Sequence, residues 1–97
     1  MFARVSTIQG NPQQVEDGIR QYREQVISAV KKIVGFKGAY FLVDRKSGKE
    51  VSITLWDTEK DLQASTKAAD QLRAQAAQTV AAPKPPVVEI YEVAVKS

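Results

Sequence analysis

Two periods of hydrophobic spacing alternate along the 97-residue chain. Phe2 to Gln9, FARVSTIQ, alternates loosely and holds β-branched residues, so a first strand is expected there. Gly10 ends it. Asn11-Pro12 then offers a helix start, with Asn as N-cap and Pro at the first helical position. Val15, Ile19, Tyr22, Val26, Val30 and Ile33 follow at steps of three and four, a single stripe of about five turns. Lys31 and Lys32 suit the negative end of the helix dipole, and Gly35 is the stop.

Period two then returns. Lys37 to Arg45 and Lys49 to Asp57 read as the second and third strands, joined by a three-residue hairpin loop, Lys46-Ser47-Gly48, with Gly in the left-handed position. That register sets Arg45 opposite Lys49, Leu42 opposite Ser52 and Tyr40 opposite Thr54, and it predicts two faces. One carries Ala39, Phe41, Val43, Val51, Ile53 and Leu55, all apolar. The other carries Tyr40, Leu42, Ser52, Thr54 and Trp56. Thr58, with Asp61 after it, caps a second helix whose stripe is Leu62, Ser65, Ala69, Leu72, Ala76 and Val80. Half of that stripe is Ser or Ala, so the helix either lies very close to the sheet or leaves space beneath it. AAPKPP, Ala81 to Pro86, connects to a fourth strand over Val87 to Val95.

The order β-α-β-β-α-β is the split pattern of ferredoxin-like α+β folds, a four-stranded antiparallel sheet with two helices on one face. Residues 1–97 are expected to form one domain. Two helices cover one sheet face only. The apolar face with Phe41, Val43, Val51, Ile53 and Leu55 is therefore expected to meet a second copy about a two-fold axis. The mixed face is expected to lie under the thin helix, enclosing a pocket lined by Tyr40, Ser52, Thr54, Trp56, Leu62 and Ser65.

Composition narrows the chemistry. The chain has no Cys and no His, which removes disulfides, thiolate metal sites and the commonest general base. With no clustered carboxylates and no phosphate loop, the expectation is no metal, flavin or haem. No nucleophile–base couple is present, and Glu89 and Glu92 fall on opposite faces of the fourth strand. No stretch approaches the roughly 20 apolar residues of a membrane span. Strand-like sequence begins at Phe2 and leaves no room for a signal peptide, so a cytoplasmic protein is expected. The net charge of +3 comes from dispersed basic residues with acids between them, which reads as a solvated surface. FKGAYFLV has the basic-Gly-aromatic character of an RNA-recognition motif. It falls on an edge strand of this topology, however, and Ala3 to Thr7 lacks a stacking aromatic, so no nucleic acid is expected.

Gly35 to Ser65, GFKGAYFLVDRKSGKEVSITLWDTEKDLQAS, resembles the antibiotic biosynthesis monooxygenase domain family, in the Gly-Phe-x-Gly entry to the second strand and in SITLWDTEKDL. The resemblance implies a dimeric α+β barrel with a pocket between each sheet and its own helices. It also implies, for members that oxidise aromatic polyketides, a reaction without metal or flavin in which the substrate's own electron-rich anion meets oxygen. Those members carry an Asn and a Trp four apart on the third strand and a Tyr early in the second helix. Trp56 matches the Trp; the Asn falls on Ser52 and the Tyr on Leu62. The haem-degrading branch places its Asn, second Trp and His ligand at Ala3, Ser65 and Gln75, so the resemblance does not carry haem to this chain. The functions expected are a cofactor-independent monooxygenase acting on a small electron-rich aromatic or quinol, or a non-catalytic dimer that binds a small apolar ligand.

Overall fold

The computed structural model describes all residues from Met1 to Ser97. Strand β1 spans Phe2–Gln9. The Asn11 side chain accepts a hydrogen bond from the Gln13 backbone N–H at 2.9 Å and opens the first helical arm. That arm runs as a 3-10 turn (Pro12–Gln14), helix α1 (Val15–Gln21), a π-helical turn (Tyr22–Val26) and helix α2 (Ile27–Val30). Strands β2 (Phe36–Val43) and β3 (Lys49–Trp56) form the hairpin. Thr58 caps α3 (Glu59–Ala64) by accepting from the Asp61 N–H at 3.0 Å. Helix α4 (Thr66–Thr79) follows, and β4 (Val87–Glu92) closes the chain of elements.

The sheet order is β2-β3-β1-β4, antiparallel at every junction, with all the helices on one face. The element order and sheet are those expected for a ferredoxin-like α+β fold. The second helix is broken at Ser65, whose backbone is the hinge between α3 and α4.

The hairpin register differs from the expected one by a single residue. Phe41 stands opposite Ser52, Tyr40 opposite Ile53 and Val43 opposite Glu50. The reason lies in the loop. Asp44 N–H bonds the Lys49 carbonyl at 2.9 Å, and Gly48 N–H bonds the Asp44 carbonyl at 2.8 Å. The Asp44 side chain also accepts from the Lys46 N–H, an Asx turn that takes up one more residue than a three-residue loop. Gly48, at φ +81°, supplies the left-handed residue as expected.

A one-residue slip exchanges the faces of a whole strand. The helix-covered face therefore holds Ala39, Phe41 and Val43 from β2 with Glu50, Ser52, Thr54 and Trp56 from β3. The open face holds Tyr40, Leu42, Val51, Ile53 and Leu55, joined by Val5 and Tyr91. Phe41 and Val43 are thus not on the open face, and Tyr40 and Leu42 take their places. The open face remains largely apolar, with Tyr40 59% and Leu42 50% exposed.

Candidate functional site

Beneath α4, between its inward side and the covered sheet face, lies a cavity of about 50 Å³. Ser65, Ala69, Leu72 and Ala76 line its helix side, the thin stripe legible in the sequence. Ser52, Thr54 and Trp56 line the sheet side, also as expected. Two expected residues do not reach it. Tyr40 points from the opposite face because of the register slip. Leu62 is fully buried in the packing of α3 and stands outside the lining.

Two further polar groups of the site come from outside the set of residues expected to line it. Tyr22, from the first arm, stacks on Phe41 with ring centroids 4.4 Å apart, and its hydroxyl lies 2.8 Å from Ser52 Oγ. Burial raises the Tyr22 pKa above the ordinary phenol value, the Ser52 bond acting in the opposite sense, so the group is a neutral hydroxyl near pH 7. Tyr22 begins the π-helical turn, where the Ile27 N–H reaches back five residues to the Tyr22 carbonyl. Such turns are frequent at functional sites because the extra residue re-aims side chains. The Trp56 indole N–H donates to Thr54 Oγ1 at 3.0 Å, and Phe36 meets its ring edge-on.

Arg4 is the second such group. It sits on the covered face of β1 opposite Thr54 and is 3% exposed. Its guanidinium donates to Ser65 Oγ at 2.9 Å, to the Leu62 carbonyl at 2.9 Å and to Thr66 Oγ1 at 3.1 Å. These bonds fasten the α3–α4 hinge to the sheet, sharing the Leu62 carbonyl with the Ser65 hydroxyl, which donates to it at 2.6 Å. The strand alternation Phe2, Arg4, Ser6, Ile8 held the signal: a cation on the same face as two residues that must be covered.

A second, open hollow of about 320 Å³ lies on the far side of the Tyr22–Phe41 pair, lined by those two rings with Ile19, Arg23, Ile27 and Val43. No three His, Cys, Asp or Glu side chains converge as a metal site, and no helix is long and apolar enough to cross a membrane.

No family model matches the sequence. Among solved structures, the chain superposes on a monooxygenase from the gene ActVA-Orf6 of Streptomyces coelicolor in complex with nanaomycin D. The TM-score is 0.75 at 17% identity, over 99% of this chain and 91% of that one. A Deinococcus radiodurans protein provisionally assigned to the antibiotic biosynthesis monooxygenases gives a TM-score of 0.74 at 14% identity, covering 100% and 96% of the two chains. A further antibiotic biosynthesis monooxygenase gives 0.69 at 15%, covering 98% and 100%. The chain has the fold of the antibiotic biosynthesis monooxygenases, and the resemblance read from Gly35 to Ser65 is borne out at that level.

Two Mycobacterium tuberculosis proteins, both uncharacterized, are closer in sequence. Rv2558 is 35% identical over 77 residues, 79% of this chain and 33% of its own length. Rv2557 is 31% identical over 94 residues, 97% of this chain and 41% of its own. The chain thus spans a third to two fifths of these relatives, each of which is more than twice as long.

Proposed function

We propose that the chain is a ligand-binding domain of the monooxygenase fold, taking a small electron-rich aromatic or quinol between the sheet and α4. The observation that carries this reading is the cavity itself, a mostly apolar space crossed by a helix in which no residue is buried. At about 50 Å³ it is smaller than the roughly 150 Å³ that holds a benzene ring. A ligand therefore enters by displacing α4, which is held at its ends rather than along its length.

In the bound state Trp56 offers its ring to an aromatic ligand, and the Tyr22 hydroxyl, now on Ser52, can turn to a ligand oxygen. A deprotonated quinol or enol can pass electrons to oxygen itself, so the protein's task is to orient the anion and stabilise its charge. The similarity to ActVA-Orf6 supports this reading through the shared fold. Binding without oxidation is the second reading. It is favoured by Ser52 and Leu62, which stand where the oxidising members of the resembled family place Asn and Tyr.

Trp56 fluorescence titrated with hydroxylated aromatics and quinols, with oxygen uptake followed in parallel, separates the two. Saturable quenching with oxygen consumption is expected for the enzyme, and quenching alone for the binding module. A flat titration across the panel removes both.

The open sheet face supports a homodimer in which the faces bearing Leu42, Val51, Ile53 and Leu55 meet about a two-fold axis. The length of the mycobacterial relatives, enough for two such domains, is consistent with pairing of this kind. Ile53→Asp is expected to convert the dimer to monomer or to unfold it. Sedimentation that finds the unaltered chain monomeric at high concentration would refute the assembly.

A further inference from the structure

Arg4 is a buried cation without a counter-ion. The ion pairs of the chain are Arg20–Asp17 and Arg45–Glu16, formed at the surface, and Arg73–Asp70, formed between a mostly buried guanidinium and an exposed carboxylate; none includes Arg4. Its three hydrogen bonds all end on neutral oxygens, two hydroxyls and a carbonyl. Taking a guanidinium out of water costs several kcal/mol unless an opposite charge compensates it, which is why buried charges are ordinarily paired. The charged groups packed around Arg4 do not supply that charge. Arg73, the other cation lining the cavity, disfavours the Arg4 charge, and Asp70, mostly in solvent, offsets this only in part. Burial is the largest influence, and it too lowers the Arg4 pKa.

Arg4 also lines the cavity, with its guanidinium 6.0 Å from the centre of the Trp56 ring. An arginine has five N–H donors, and Arg4 uses three. A cation with donors to spare stands beside an aromatic wall. We infer that the ligand of this cavity carries a negatively charged oxygen, as a carboxylate or a phenolate, and that Arg4 is the residue that selects it. This rests on the cavity being a ligand site and adds the charge of what fills it. The apolar body lies against Trp56, Leu72 and Phe41, and the oxyanion provides the missing counter-ion.

The test uses three probes of one shape: 2-naphthoate, 2-naphthamide and 2-naphthol, titrated by calorimetry into the full chain. Naphthoate is expected to bind about tenfold or more tightly than the amide, the increment of one charge-assisted bond in a dry site. Naphthol bound as its anion, seen by naphtholate absorbance below its solution pKa, would assign the selected oxygen to a phenolate. Equal affinity for naphthoate and naphthamide, with no naphtholate, overturns the inference and leaves the cavity as a ligand site. Failure of all three probes to bind overturns the cavity reading and the inference together.

Arg4→Gln is expected to abolish the preference for naphthoate over naphthamide. A preference that survives in Arg4→Gln overturns the assignment to Arg4. Because Arg4 also fastens the α3–α4 hinge, a second readout avoids any variant. The Arg4 Nε–H resonance, followed by NMR, is expected to move on addition of naphthoate and to stay in place with the amide. A purely structural Arg4 would not report the charge of the probe.

Discussion

The two helical arms lie on the same face of the sheet and hold to it in opposite ways. The first buries Val15, Gly18, Gln21, Tyr22, Val26 and Val30 along its whole length. Tyr22, Val26 and Val30 form the apolar cluster against which Phe36, Phe41 and Leu72 pack. Helix α4, twice the length of α1, has no fully buried residue, although Leu72 on its inner side is partly buried against that cluster. It is secured at its ends: Arg4 grips Ser65 and Thr66, and fully buried Val80 accepts the Asn11 N–H at 2.9 Å. The first arm is a wall and the second is a cover. A cover pinned at its ends can bow away from the sheet without giving up a core, which is the property a ligand site of this kind requires.

The sharpest way to break that contrast is to truncate one side chain from each arm. Tyr22→Ala removes a buried ring stacked on Phe41 and is expected to cost about 3–5 kcal/mol in urea unfolding. Leu72→Ala, on the partly exposed inner side of α4, is expected to cost about 1 kcal/mol. Equal losses would show that α4 is as much a part of the core as the first arm.

Glu50 joins the ends of the two arms and gives the next largest effect. Its side chain is buried, one carboxylate oxygen has no hydrogen-bond partner, and Gly18 and Val80 close over it. A Cβ at position 18 would lie 2.7 Å from that oxygen, which accounts for a glycine inside a helix. Burial raises the Glu50 pKa from 4.5 to about 7. The folded chain then holds a proton that the unfolded chain releases, so stability falls as pH rises from about 4.5 to about 7 and is level beyond. Glu50→Gln is expected to remove this slope and to raise stability above pH 7 by about 1–3 kcal/mol. A pH profile of unfolding unchanged by the substitution would contradict the buried state of the carboxyl.

The smallest effect isolates one bond. Tyr22→Phe keeps the stack on Phe41 and loses the hydrogen bond to Ser52, with an expected cost of about 1 kcal/mol. In ligand titrations the same variant should weaken binding of hydroxylated probes and leave that of apolar ones unchanged.

The sequence made much of this molecule legible. The caps Asn11 and Thr58 start both arms as their side-chain chemistry dictates, and Phe2–Gln9 is strand to the residue. The stripe Ser65, Ala69, Leu72 and Ala76 marked a thin helix, with close packing and a space beneath it both left open, and Ser52, Thr54 and Trp56 were set together on one strand face. Local preference and one-dimensional spacing suffice for these because each depends on neighbours a few residues away.

The facing of β2 did not follow from its pattern, because both of its sides are apolar. Tyr40 and Leu42 on one side and Ala39, Phe41 and Val43 on the other satisfy alternation equally well, so hydrophobicity does not choose between them. The Asx turn at Asp44 and the stacking of Phe41 on Tyr22 choose, and both are contacts made only when the chain has folded back on itself. Arg4, Tyr22 and Phe41 entered the site for the same reason. They come from separate elements, and what makes each functional is what stands opposite it. Element order, capping and the thinness of α4 belong to the sequence; the hairpin register, the polar groups of the cavity and the unpaired charge of Arg4 exist only in the tertiary structure, where distant residues set each other's surroundings.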